Sequence, residues 1–203
     1  FFKQNGYQFE EEYYFEPTLN EKLKECLLNI KEFNKKKQIL VYGRPSVDRN
    51  AFQLIVETLR QWVWAQEDIK EWKVFSVGEK HPSVDLGNEV KLESLGKLTL
   101  EEYAGLMGES YLGISLMISP HPSYPPLEMS TFGMKVITNS YGNKNIEDFN
   151  NNITSIECLN PNSIKRELIE LCNNFDNVTP IESNNDDYIT KSKLFDFITK
   201  INL

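Results

Sequence analysis

Short apolar runs alternate along this chain with amphipathic stretches that carry an apolar residue every three or four positions. The runs Gln38–Tyr42, Trp72–Val77, Val90–Leu92, Leu112–Ile118, Met134–Thr138 and Ile153–Leu159 read as buried strands. Between them lie helical patterns. Leu23, Leu27, Ile30 and Phe33 form one stripe, and Phe52, Ile55, Val56, Leu59 and Val63 form another, which Asp48 could cap. Thr99, with Glu102 three residues on, reads as a capping box for a helix carrying Leu100, Tyr103 and Met107. Further helices are expected over Pro161–Asn173 and Ile189–Ile201, with a polar loop at Ser183–Asp187 before the last. Strands alternating with helices predict an α/β protein, a Rossmann-like parallel sheet with helices on both faces.

One stretch organises the rest. An apolar run ends in the stiff turn Ser119-Pro120-His121-Pro122-Ser123-Tyr124-Pro125-Pro126-Leu127-Glu128, and Gly133 closes the helix that follows. Pro126 suits a first helical position, and Glu128 suits the positive end of the helix dipole. A strand, a rigid loop and a helix start together place free amides at the carboxyl edge of a sheet, where open α/β sheets hold phosphorylated ligands.

Composition narrows the classes. With 203 residues, 40% of them hydrophobic, the chain can bury a real core, enough for one domain plus extensions. A formal charge of −8 argues against nucleic-acid binding, because no basic surplus exists to displace counterions. Cys26, Cys158 and Cys172 lack CxxC spacing and read as buried thiols in a reducing compartment. No apolar run approaches the roughly 20 residues that span a bilayer, and no signal peptide is read at the start. The opening Phe1-Phe2, without an initiating Met, reads as a cut from a longer protein.

Gly43-Arg44-Pro45 leaves the first strand. Gly43 lets backbone approach a ligand, and Arg44 offers a fork matched to phosphate oxygens; the alternative is a surface arginine in a turn. Arg49, five residues later, would converge on the same anion. Glu128 is either a helix-start carboxylate or an acceptor for ribose hydroxyls. His121 is a candidate general base or sugar contact, and equally a structural hydrogen-bond partner. His81, beside Pro82, reads as an exposed bystander. Asp186-Asp187 reads as a solvated pair, and no structural metal is expected. No GxGxxG, Walker, HExxH, GxSxG or DxD motif is present.

The order Gly43-Arg44, Arg49, Leu95-Gly96-Lys97 and Pro125-Pro126-Leu127-Glu128, then Gly133, resembles the C-terminal, nucleotide-sugar-binding domain of GT-B glycosyltransferases. More narrowly, Tyr42-Gly43-Arg44-Pro45 together with Ser119–Glu128 is similar to bacterial rhamnosyltransferases of the WsaF type, which act in surface-glycan synthesis. The likeness runs from Gln38 to Lys200. It implies an interdomain linker and helix over 1–37 and a donor-binding domain over 38–203. It also implies that Arg44 and Arg49 hold the donor diphosphate and that the Gly96–Lys97 backbone meets the nucleobase. Glu128 would bind the ribose, the amides near Leu127 would face phosphate, and Ser123 and Tyr124 would lie near the sugar.

Where the wider family often has a second Glu, eight residues before Glu128, this chain has Pro120, so a carboxylate contact to the donor sugar is either absent or supplied differently, with His121 the candidate. The implied donor is a dTDP-linked sugar such as rhamnose, used without a cofactor or metal. The acceptor is a glycan, met through an N-terminal domain outside this chain. The implied setting is cytoplasmic, with peripheral membrane contact at the inner face. An epimerase on the same architecture, or a non-catalytic nucleotide-binding module, is the alternative.

Overall fold

A computed structural model describes residues 3–10, 18–121, 123–177 and 188–189. The expected loop at Ser183–Asp187, Pro122, nearly all of the expected closing helix, and residues 1–2 and 11–17 of the expected lead-in fall outside these.

The strands are β1 (Lys36–Gly43), β2 (Lys73–Gly78), β3 (Val84–Gly87), β4 (Val90–Gly96), β5 (Ser110–Ile114), β6 (Lys135–Asn139) and β7 (Ile153–Ile156). They form one seven-stranded sheet in the order β3-β4-β2-β1-β5-β6-β7, parallel except for the β3–β4 pair. The helices are α1 (Glu21–Asn29), α2 (Phe52–Trp62), α3 (Leu100–Glu109), α4 (Tyr124–Thr131) and α5 (Pro161–Asn173).

β1 explains the layering. Ile39 and Val41 point into a core shared with α2 and α5, while Leu40 points into one shared with α1, α3 and α4; all three are fully buried. A strand covered on both faces has no polar side, so the central run Ile39–Tyr42 is continuously apolar, while Lys36 and Lys37 lie at the less buried start. Gly43 ends β1 because a Cβ there would stand 2.8 Å from Cδ2 of Phe52, the residue that opens α2.

Several expectations shift. β3 was not anticipated: a four-residue strand with only two apolar side chains carries little pattern. It turns into β4 through Asn88 (φ 50°) and Glu89 (φ 65°), the backbone of a tight antiparallel hairpin. Asp48 caps no helix. It starts a 3₁₀ turn over Asp48–Asn50, and Ala51, at φ 48°, opens α2 without a side-chain cap. The Thr99/Glu102 capping box is present, with Thr99 Oγ1 accepting from Glu102 N at 3.2 Å and Glu102 Oε2 from Thr99 N at 2.8 Å. β5 and β7 stop at Ile114 and Ile156, short of the apolar runs that suggested them.

α4 begins two residues before Pro126. Pro125 and Pro126 therefore occupy its second and third positions. The Ser123 amide is already engaged by His121 Nδ1 at 3.0 Å. Two prolines without N–H and one committed amide leave little of the free-donor cluster expected near Leu127.

Candidate functional site

The chain leaves β1 for β2 on one side and returns to β5 on the other, so the sheet's switch point lies between the carboxyl ends of β1 and β5. Loops diverge there and open a crevice. A cleft of about 500 Å³ occupies this place. Tyr42 and Arg44 from the end of β1 line it, facing Tyr124, Pro125 and Glu128 from the start of α4. Its third side is the entry to α3, with Lys97, Leu98, Leu100 and Tyr103. A second groove, of about 410 Å³, lies at the opposite rim beside the amino ends of β2 and β4.

The loops around the cleft are tied to one another. Asn50, 1% exposed, accepts from Arg44 Nε at 3.4 Å and donates to the Leu116 carbonyl at 3.5 Å, joining the loop after β1 to the loop after β5. Ser46 clips the loop after β2 by donating its hydroxyl to Glu79 at 2.7 Å. The stem of Arg44 lies over Gly78, where a Cβ would come within 3.3 Å of Cγ. Met117 is held from three directions. Its amide donates to Asn139 Oδ1 at 2.7 Å, and its carbonyl accepts from Asn139 Nδ2 at 3.2 Å and from the buried Lys144 ammonium at 2.7 Å. Burial pulls Lys144 down to about 8. Two amide bonds and one from the lysine together hold the start of the stiff turn that delivers α4.

Arg44, Lys97, Tyr124 and Glu128 are thus brought to one cleft. Gly43 and Gly96 lie in the strand ends beneath it; Gly96 has φ 76° and is overlain by the Lys80 side chain. Leu127 is core, 2% exposed. Ser123 is buried at φ 66°, directly before α4.

Arg49 does not join them. The 3₁₀ turn carries its side chain to the surface, outside the residues that line the cleft, while its carbonyl accepts from Ile118 N at 2.7 Å. Arg44 and Lys97, not two arginines, are the cations of this cleft.

His121 is exposed and also stands outside the lining. Its Nδ1 accepts from the Ser123 amide, so in the neutral ring the proton is on Nε2. In that tautomer neither ring nitrogen has a free lone pair, and the bond holds Ser123 in its unusual backbone. The ring meets Tyr124 edge-on at 5.8 Å.

Glu128 is unpaired among the described salt bridges, and burial pushes its carboxyl up to about 7. A carboxyl withdrawn from water without a cation is poised for a ligand's hydroxyl donors. Two wall residues, Tyr42 and Tyr103, were missed as site residues because a tyrosine inside an apolar stripe reads as core. His81 is no bystander either. It is half-buried, its Nδ1–H donates to Pro82 O at 2.7 Å, its Nε2 accepts from the buried Ser76 hydroxyl at 2.6 Å, and its ring meets Phe52 at 5.0 Å. A residue's position before a proline does not say which buried groups will reach it.

Among the described residues no group of three or more His, Cys, Asp and Glu side chains could hold a metal ion, and no helix is long and apolar enough to cross a membrane.

The sheet order and the cleft at its switch point define the C-terminal half of a GT-B glycosyltransferase fold. Solved structures share it at low sequence identity. TarM superposes with a TM-score of 0.61 at 17% identity, covering 84% of this chain and 35% of that one. The C-terminal domain of a group 1 glycosyl transferase, LpcC from Francisella tularensis, gives 0.55 at 16% identity and covers 86% and 93%. WaaG, a glycosyltransferase of lipopolysaccharide biosynthesis, gives 0.55 at 16%, covering 77% and 46%.

Residues 37–169 match the model of the WsaF C-terminal domain, and the chain belongs to that family. O-antigen biosynthesis protein RfbC of Myxococcus xanthus is 33% identical over 102 residues, covering 50% of this chain. The match spans 8% of RfbC's own length.

Proposed function

We propose that this chain is the donor-binding half of a glycosyltransferase that moves a 6-deoxyhexose, rhamnose from dTDP-rhamnose, onto a surface-glycan acceptor. The observation that carries this reading is one cleft holding two cations and an unpaired carboxyl at the switch point of a WsaF-family domain. A nucleoside diphosphate needs both kinds of group: positive charge for the diphosphate and an acceptor for the pentose hydroxyls. In transfer, the bond from the sugar's anomeric carbon to the diphosphate oxygen breaks as the acceptor hydroxyl attacks, and the departing diphosphate gathers negative charge. Arg44 and Lys97 are placed to stabilise that charge, so the reading calls on no metal. A partner domain would bring the acceptor, with the whole enzyme working in the cytoplasm at the inner face of the membrane.

A thermal-shift screen tests the ligand class, because a ligand bound to the folded state raises its apparent stability by mass action. Stabilisation by dTDP or UDP but not by NAD is expected. No response to either diphosphate would remove the reading. Transfer from dTDP-rhamnose by the full-length protein tests the sugar.

A further inference from the structure

Tyr103 is on the second turn of α3, in a register set by the Thr99/Glu102 capping box. Its residue is 8% exposed, and its hydroxyl is buried with no hydrogen-bond partner among the described residues. A fold normally satisfies a buried hydroxyl or replaces it with phenylalanine, so an orphan in the wall of a cleft calls for a reason. The titratable groups around it are Glu128 from α4, the one carboxyl among them, and the phenols Tyr42 from β1 and Tyr188 near the far end of the chain. The Tyr42 ring lies 6.4 Å away at 52°. Tyr103, Tyr42 and Glu128 all line the cleft that also presents Arg44 and Lys97.

The hydrogen-bond inventory of this corner is lopsided. Above pH about 7 the Glu128 carboxylate is ionised and only accepts, whereas a phenol has one proton to donate. A sugar hydroxyl has one proton and two lone pairs, so it can donate to the first and accept from the second at once. We propose that Tyr103 is a specificity-determining residue of the cleft, its O–H donating to the same pentose 3′-hydroxyl that donates to Glu128. The proposal rests on the reading of the cleft as a nucleoside diphosphate site, and adds that the pentose is gripped from two helices, α3 and α4. Burial and the Glu128 charge hold the phenol proton well above the ordinary tyrosine range, so Tyr103 stays a donor throughout the usable pH range.

The test is calorimetry on wild type and Tyr103→Phe with thymidine and uridine diphosphates, each beside its 3′-deoxy analogue, and with pyrophosphate. The variant deletes only an oxygen that lacks a partner, so the ligand-free protein is expected to melt at the wild-type temperature or above. Its affinity for the 3′-hydroxylated diphosphates should fall about tenfold, the scale of one lost hydrogen bond. Affinity for the 3′-deoxy analogues and for pyrophosphate should be unchanged. Equal losses for the hydroxylated and deoxy ligands, or no loss for either, would overturn the role of Tyr103 while leaving the nucleotide site standing. Lower melting with unchanged affinities would also overturn it, by showing that the phenol serves Glu128 within the free protein. Failure of the wild type to bind any of the nucleoside diphosphates would sink the underlying reading as well.

Discussion

Arg44 and Glu128 look into one cleft from opposite sides of the switch point, the first leaving β1 and the second in α4, and they do not pair with each other. An ion pair would have lowered the Glu128 carboxyl. Instead burial alone sets it, up to about 7. The two groups are kept apart and unquenched, which is what a ligand with an anionic end and a hydroxyl end requires.

Arg44→Ala removes a fork whose only described hydrogen bond is a long one to Asn50. The expected loss of nucleoside diphosphate affinity is about 2 kcal/mol, the scale of one hydrogen bond to a charged group. Calorimetry measures it, and unchanged affinity in a folded variant would exclude Arg44 from the diphosphate.

Glu128 makes stability depend on pH with a definite sign. Its folded value, about 7, exceeds the ordinary 4.5, so between those limits the folded protein holds more protons than the unfolded chain. The stabilisation is complete below 4.5 and is lost as pH rises through about 7. Denaturation midpoints of Glu128→Gln should lack that decline. The same variant should bind nucleoside diphosphate no better than pyrophosphate, and retention of the wild-type preference would refute the pentose contact.

Lys35 gives the opposite slope from the other rim of the sheet. Its ammonium donates to the Met107 carbonyl at 2.8 Å, in the last turn of α3, and to the Phe132 carbonyl at 2.7 Å, at the end of α4. Burial pulls it down to about 7 from 10.5, so its stabilisation is present above 10.5 and is lost as pH falls through about 7. Lys35→Met should erase the alkaline part of the pH profile and leave two helix-end carbonyls without a donor. The expected cost is about 1–3 kcal/mol by urea denaturation; an unchanged midpoint would show that water replaces the lysine.

His121→Asn and His121→Ala separate structure from chemistry. Asn has an oxygen acceptor for the Ser123 amide and no base, while Ala has neither. If His121 is structural, the Asn variant keeps the melting temperature and, in the full-length protein, the transfer rate; the Ala variant loses stability. A rate that collapses in both variants would restore the general-base role.

Gly43→Ala would set a methyl 2.8 Å from a buried ring carbon of Phe52. Overpacking of this kind costs about 1–3 kcal/mol, read from chemical denaturation. An undiminished midpoint would mean that Phe52 can withdraw.

The chain's own order of residues determined that this is a parallel α/β sheet, because burial on both faces strips the Ile39–Tyr42 run of β1 of polar positions and amphipathic helices must supply the cover. It also marked Gly43-Arg44 and the segment ending in Glu128 as the loops of interest, since strand ends and stiff turns announce themselves locally, whereas Gly96-Lys97 was singled out only by the family resemblance. Only the tertiary structure decided which cations share a cleft. Arg49 and Lys97 are equally basic on paper, but the 3₁₀ turn over Asp48–Asn50 leaves the first on the surface while the end of β4 delivers the second. It likewise tied His121 Nδ1 to the Ser123 amide, put prolines without N–H at the second and third positions of α4, and set Tyr103, whose spacing marks only a core-facing stripe, in the wall of the cleft. A side chain's partner is set by contacts distant in sequence, and periodicity carries no record of them.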